Sequence, residues 1–114
     1  MYEKHERQMK KGVLDMLVLK LLEDEPKYGY QLIYEMREKS SGIFVLKEGT
    51  LYPILYRLEE EGFIMSRWSE AAGRQAARKY YSISDFGKTA LLEIYGSWKQ
   101  ILSGVSRIME EELP

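Results

Sequence analysis

Residues 49–64 constrain this chain more than any other stretch: Gly-Thr-Leu-Tyr-Pro-Ile-Leu-Tyr-Arg-Leu-Glu-Glu-Glu-Gly-Phe-Ile. Leu51, Ile54, Leu55 and Leu58 recur at helical spacing and make one apolar stripe of about two turns. Proline inside a regular helix costs about 3 kcal/mol, whereas the first turn tolerates it. Pro53 therefore predicts regular helix from near Thr50, with Lys47 to Gly49 as a lead-in turn. Gly62 predicts a glycine-capped end, and Phe63-Ile64-Met65 starts an extended run at once. Thr50, Tyr52, Tyr56 and Arg57 point away from the stripe. A merely solvated face would carry Lys and Glu, so this outer face has the aromatic, hydroxyl and guanidinium groups that suit a DNA groove. A packing helix with tyrosines at the domain surface accounts for the same residues, and this stretch alone does not choose.

The flanking segments give the helix its setting. Val13, Leu14, Leu17, Val18, Leu21 and Leu22 line a broad face of a predicted helix over Gly12 to Asp24, which Glu25-Pro26-Lys27 breaks. A second helix spans Tyr28 to Lys39, with Leu32, Ile33 and Met36 inward. After the turn cluster Ser40-Ser41-Gly42, the apolar run Ile43 to Leu46 reads as a minimal strand. Beyond the third helix, Phe63 to Ser69 and Arg78 to Ser84 form a β-hairpin with a loose tip around Gly73. Three helices and then a hairpin is the order of a winged helix-turn-helix, a mainly α fold with a small β-hairpin (α+β). Ser84-Asp85 caps a long final helix, in which Leu91, Ile94, Tyr95, Trp98, Ile101, Leu102, Val105, Ile108 and Met109 repeat as an a, d, e pattern. Extended to Glu112, that helix would span about 40 Å. A winged domain over 1–84 cannot cover such a stripe, so 85–114 reads as a dimerisation helix meeting a second copy of itself.

Net charge is −1, which looks wrong for a nucleic-acid binder until its distribution is followed. Between Met65 and Ser82, Arg67, Arg74, Arg78 and Lys79 face Glu70 alone, while Glu110, Glu111 and Glu112 make the end acidic. No cysteine is present, which excludes disulfides and thiolate chemistry. The apolar run Val13 to Leu22 is interrupted by Asp15 and Lys20 and too short to cross a bilayer, and the charged N-terminus lacks the apolar core of a signal peptide. A cytoplasmic protein without a membrane partner is expected. The single histidine, His5, lies in a charged segment, and no hydrolase, metalloprotease or phosphate-loop motif occurs. Glu59-Glu60-Glu61 cannot converge on one metal, since consecutive helical residues face different ways. No enzyme, metal or cofactor is expected.

With these residues in hand, the chain resembles the PadR family of bacterial transcriptional regulators, in its compact form with a single C-terminal helix. The likeness rests on Tyr28-Gly29-Tyr30, on Gly49-Thr50-Leu51-Tyr52-Pro53 with Leu58-Glu59 and Gly62-Phe63-Ile64, and on Arg78-Lys79-Tyr80-Tyr81 followed by Gly87. The resemblance implies a homodimer on double-stranded operator DNA with an inverted repeat, usually repressing. Lys47, Thr50, Tyr52, Tyr56 and Arg57, with Tyr28 beside them, would face the groove or its bordering phosphates, and Arg74, Arg78 and Lys79 the backbone. The N- and C-terminal helices would hold the dimer, adding Val13 and Leu17 to the seam. In some members a small aromatic or cationic compound releases the DNA. Trp98 matches the tryptophan that lines a pore at the dimer centre in the multidrug-sensing branch, with Tyr95, Leu102 and Met16 as candidate walls. Gly96 and Gly104 depart from a plain helix, each lowering propensity by about 1 kcal/mol relative to Ala. Two other readings stay open: a winged-helix module that binds proteins instead of DNA, and a close-packed seam with no cavity.

Overall fold

A computed structural model of the chain describes residues 1–110; the predicted continuation of the last helix to Glu112, with Glu111 and Glu112, lies outside the described residues. Among the described residues, five helices and three strands follow one another as α1 (Glu3–Lys11), α2 (Leu14–Leu21), β1 (Lys27–Tyr28), α3 (Gly29–Lys39), α4 (Glu48–Glu60), β2 (Ile64–Trp68), β3 (Lys79–Ile83) and α5 (Asp85–Met109). The strands form an antiparallel sheet in the order β1-β3-β2, with Ser66 and Lys27 opposite Tyr81. This is a winged-helix fold with a long helix appended.

The core lies where α2, α3 and α4 meet, and Val18, Leu19, Leu32, Leu51 and Leu55 are fully buried there. Each such side chain contributes about 1.5–3 kcal/mol by leaving water. The hairpin closes the core from the other side through Ile64 and Tyr81. Gly62 ends α4 with φ +82°, and the N–H groups of Phe63 and Gly62 reach back to the carbonyls of Leu58 and Glu59, both at 3.0 Å. That paired pattern satisfies two end carbonyls and turns the chain directly into β2. Ser84 does the same work at the far end of the hairpin. Its Oγ accepts from the Gly87 N–H (3.0 Å) and donates to the Gly62 carbonyl (2.7 Å), capping α5 and tying it to the end of α4. Gly87 is needed for close approach, because a Cβ there would strike the Phe63 carbonyl.

Three details differ from the sequence reading. The N-terminal segment is helical, and Gly12-Val13 separates α1 from α2 where one helix from Gly12 was expected. Residues 27–28 pair with β3 as a third strand, while Ile43 to Leu46 form none. α4 starts at Glu48, so Pro53 falls in its second turn. The proline removes the N–H that would reach the Gly49 carbonyl, at an exposed position where solvent can replace it. Beyond these differences, the first turns of α5 pack on the winged core, with Gly87 and Leu91 buried.

α1 and the part of α5 beyond Trp98 stand apart from this core. α1 has no buried residue. On α5, Leu92, Tyr95, Ile101, Val105, Ile108 and Met109 are all exposed. The Cα radius of gyration is 16.1 Å, against about 13 Å for a compact chain of this size. No helix among the described residues is long and apolar enough to cross a membrane.

Candidate nucleic-acid interface

The apolar stripe of α4 points into the core, which leaves Thr50, Tyr56 and Arg57 exposed and Tyr52 half-buried. Lys47, extended and exposed, sits at the N-cap, where unpaired N–H groups and the helix dipole favour anions. Tyr52 is positioned by Gly29: any side chain there would collide with its hydroxyl and ring, so glycine lets Tyr52 lie across the start of α3. Burial, with the neighbouring charges of Glu48 and Tyr56, pushes the Tyr52 hydroxyl above its ordinary range, so it stays protonated as a donor.

The wing supplies the cations. The Lys79 ammonium lies 5.6 Å from the ring centre of Tyr56 and 5.5 Å from that of Tyr81. The Arg78 guanidinium sits 4.6 Å from the ring centre of Tyr28, which packs edge-on against Tyr80 at 5.5 Å. Aromatic faces hold these charges in place without neutralising them. Tyr28, Tyr52, Tyr56, Trp68, Arg78, Lys79 and Tyr81 thereby line one cleft of about 300 Å³ between α4 and the wing. Arg74 stands exposed at the hairpin tip, in a turn closed by the Gln75 N–H and Ala72 carbonyl (3.0 Å). Such a surface, aromatic with polar tips and edged by cations, can bind a phosphate backbone and admit a helix to a groove.

One groove residue is placed otherwise. Arg57 is not a free guanidinium: Nη1 and Nη2 donate to the two carboxylate oxygens of Asp15 at 2.5 and 2.8 Å, bracketing α4 to α2. That forked pair raises the arginine's pKa further and turns two of its five donors toward α2. Thr50 shares that edge of α4, beside a second cavity of about 710 Å³ between α1, α2 and the loop at 42–46.

The expected ligand and seam residues are also redistributed. Met16 is buried in the winged core, and Leu91 likewise packs into its own domain, so neither is free to line an interface. Val13, Leu17, Ile94 and Trp98 are half-buried against that core, whereas Ile101, Val105, Ile108 and Met109 stand open. Tyr95 and Trp98 stack at 6.1 Å with their rings 12° apart, and Lys99 lies 4.8 Å from the Tyr95 ring centre. Neither cavity just described is lined by Trp98 or Tyr95.

Sequence reasoning missed Trp68 and Tyr81 in the cleft, although strand alternation already puts Tyr81 on the same face of β3 as Lys79. It also missed Lys27, the one buried charged residue among those described. Its ammonium donates to the Leu21 carbonyl, to Asp24 Oδ1 (2.9 Å) and to Glu35 Oε1 (2.8 Å), using all three protons. Burial alone would lower the Lys27 pKa, but the bonds to Glu35 and Asp24 outweigh it and hold it above the ordinary value. Burial likewise pushes the Glu35 carboxyl up, and the Lys27 hydrogen bond and charge, with Lys39 beside them, overcome this and hold it below. The network fixes β1 to α2 and α3, and through β1 it sets the wing strand β3 against α4.

Residues 18–93 match the model of the transcriptional regulator PadR-like family. The chain is 32% identical over 79 residues to the negative transcriptional regulator PadR of Bacillus subtilis (strain 168), covering 69% of this chain and 43% of that one. Among solved structures, a PadR family transcriptional regulator from Eggerthella lenta superposes with a TM-score of 0.85 at 32% identity, covering 96% of this chain and 93% of the other. Bacillus subtilis PadR in complex with operator DNA superposes with a TM-score of 0.64 at 31% identity, over 71% of this chain and 45% of that one.

Proposed function

This chain belongs to the PadR-like family of transcriptional regulators, and on that footing we propose that it binds double-stranded DNA as a homodimer and represses from an inverted-repeat operator. The observation that carries the reading is the cleft where Tyr28, Tyr52 and Tyr56 meet Arg78 and Lys79. Lys47, Thr50, Tyr52 and Tyr56 face the major groove and its bordering phosphates. Arg74, Arg78 and Lys79 grip the backbone as the wing passes beside it. Arg57 is left out, since Asp15 holds it. The superposition on a relative complexed with operator DNA supports this assignment, and a protein of this kind acts in the cytoplasm, where the DNA is.

In the division of labour, 1–84 reads DNA and 85–114 dimerises, with the seam beginning beyond Leu91. Two observations support a second copy. An isolated nine-residue helix with nothing buried is marginal in water, so α1 needs a cover. The open stripe Ile101, Val105, Ile108 and Met109, with half-buried Leu102, needs one too. In a two-fold dimer each α1 then packs on the partner's α5, and Tyr95 and Trp98 approach their own copies. A flat aromatic or cationic effector stacked between the two Trp98 rings releases the DNA.

The test is an anisotropy titration of purified protein against a duplex from upstream of its own gene and against a shuffled duplex of the same composition. Preference for the upstream duplex by roughly a thousandfold or more is expected at physiological salt. Equal affinity for both sequences would remove the operator reading, and binding to neither at low salt would remove DNA binding altogether.

A further inference from the structure

Among the described residues, the Tyr81 hydroxyl is the buried side-chain polar atom with no hydrogen-bond partner, in a residue only 1% exposed. Buried hydroxyls are ordinarily satisfied, so an orphan calls for a reason. Neither cross-strand neighbour pairs with it. Lys27, opposite it on β1, has committed all three protons, and Ser66, opposite it on β2, donates to Glu59 at 2.5 Å. Tyr81 also lines the cleft between α4 and the wing. Above it lies the Lys79 side chain, its ammonium over the rings of both Tyr81 and Tyr56.

We propose that Tyr81 is a latent phosphate ligand, covered by Lys79 in the free protein. When Lys79 leaves the two rings to pair with a phosphate of the DNA backbone, the hydroxyl is uncovered and donates to an oxygen of that same phosphate. The chemistry selects the partner: Arg78 and Lys79 at the mouth favour an anion, and a lone O–H at the floor wants an acceptor without a counter-charge. Burial pushes the Tyr81 hydroxyl up to about 12, so the proton to be donated is present at neutral pH. An unmade hydrogen bond in the free state becomes a made one in the complex, which adds affinity without adding charge. The inference rests on the DNA-binding reading above.

Tyr81→Phe removes the hydroxyl and nothing else. The free variant is expected to melt at the same temperature as wild type or higher, because it loses only an unsatisfied group. Its affinity for mixed-sequence duplex DNA is expected to fall roughly tenfold to a hundredfold, the loss of one hydrogen bond to a charged acceptor. The slope of log affinity against log salt should not change, since no charge is lost, whereas Lys79→Ala should flatten it by about one unit. Undiminished DNA affinity in Tyr81→Phe, with wild type binding normally, overturns the inference alone. A variant that melts lower and loses affinity in step overturns it in favour of a packing role. Wild type that binds no DNA overturns both this and the reading beneath it.

Discussion

Replacing Lys27 tests whether the wing is set in place by a buried charge network. Lys27→Met keeps most of the stem and removes the ammonium. It leaves the Leu21 carbonyl without its donor, and Glu35, whose side chain is 19% exposed, with only Lys39 at 3.4 Å. Breaking a fully buried pair costs about 3–5 kcal/mol, and the partial exposure and remaining Lys39 argue for the low end, about 3 kcal/mol. That is a large share of the roughly 5–15 kcal/mol that holds a domain folded. Changing Glu35→Leu in the same chain should restore much of the loss, because no charge then remains uncompensated. The assay is urea unfolding at fixed protein concentration, so that any dimerisation contributes equally. The pH dependence adds a second check. The Glu35 carboxyl is held low in the fold, so its contribution is present above the ordinary carboxylate range and lost as pH falls through the lowered value. Lys27 is held above 10.5, so its contribution persists at neutral pH and is lost only as pH rises beyond that. Wild type should therefore weaken in acid below about pH 4, and Lys27→Met should lose part of that acid limb. A Lys27→Met protein as stable as wild type, with the acid limb unchanged, would refute the reasoning.

Three further outcomes follow from other parts of the chain. Gly87→Ala places a methyl against the Phe63 carbonyl and should cost about 1–3 kcal/mol in urea; a change within about 0.5 kcal/mol would mean the approach is less tight than the backbone indicates. Ile101→Asp puts a charge on the open stripe of α5, so light scattering should fall from twice the 13.4 kDa chain mass to a single chain; a wild type already monomeric at micromolar concentration would end the dimer proposal. Planar aromatic dyes should quench tryptophan fluorescence, and Trp98→Ala should abolish that while DNA affinity persists. Quenching that survives there and disappears in Trp68→Ala would move the site to the wing cleft.

Much of the fold was legible because its signals are local. The stripe Leu51, Ile54, Leu55 and Leu58, the Gly62 turn and the Ser84 cap each depend on residues a few positions apart, and the structure has all three. Lys27 and Glu35 were opaque, because a lone lysine and glutamate read as surface until a third element encloses them. Arg57 and Asp15 are 42 residues apart, so no spacing rule could pair them, and from sequence Arg57 reads only as part of the groove-facing side of α4. β1, at two residues, is too short to carry periodicity and exists only because β3 offers it an edge. The candidate site divides the same way. Residue types on α4 and the wing announced themselves, while Tyr81 acquired interest only through what the fold withholds from it.

The central claim, that α4 and the wing together bind DNA, is tested most directly by the salt dependence of binding in wild type and Arg74→Ala. Arg74 is exposed at the hairpin tip, so removing it should leave stability untouched. The account predicts that wild-type affinity for duplex DNA falls steeply as salt rises, that Arg74→Ala binds all sequences more weakly, and that its slope is flatter by about one unit. An Arg74→Ala protein with wild-type affinity at low salt and an unchanged slope would contradict the wing assignment.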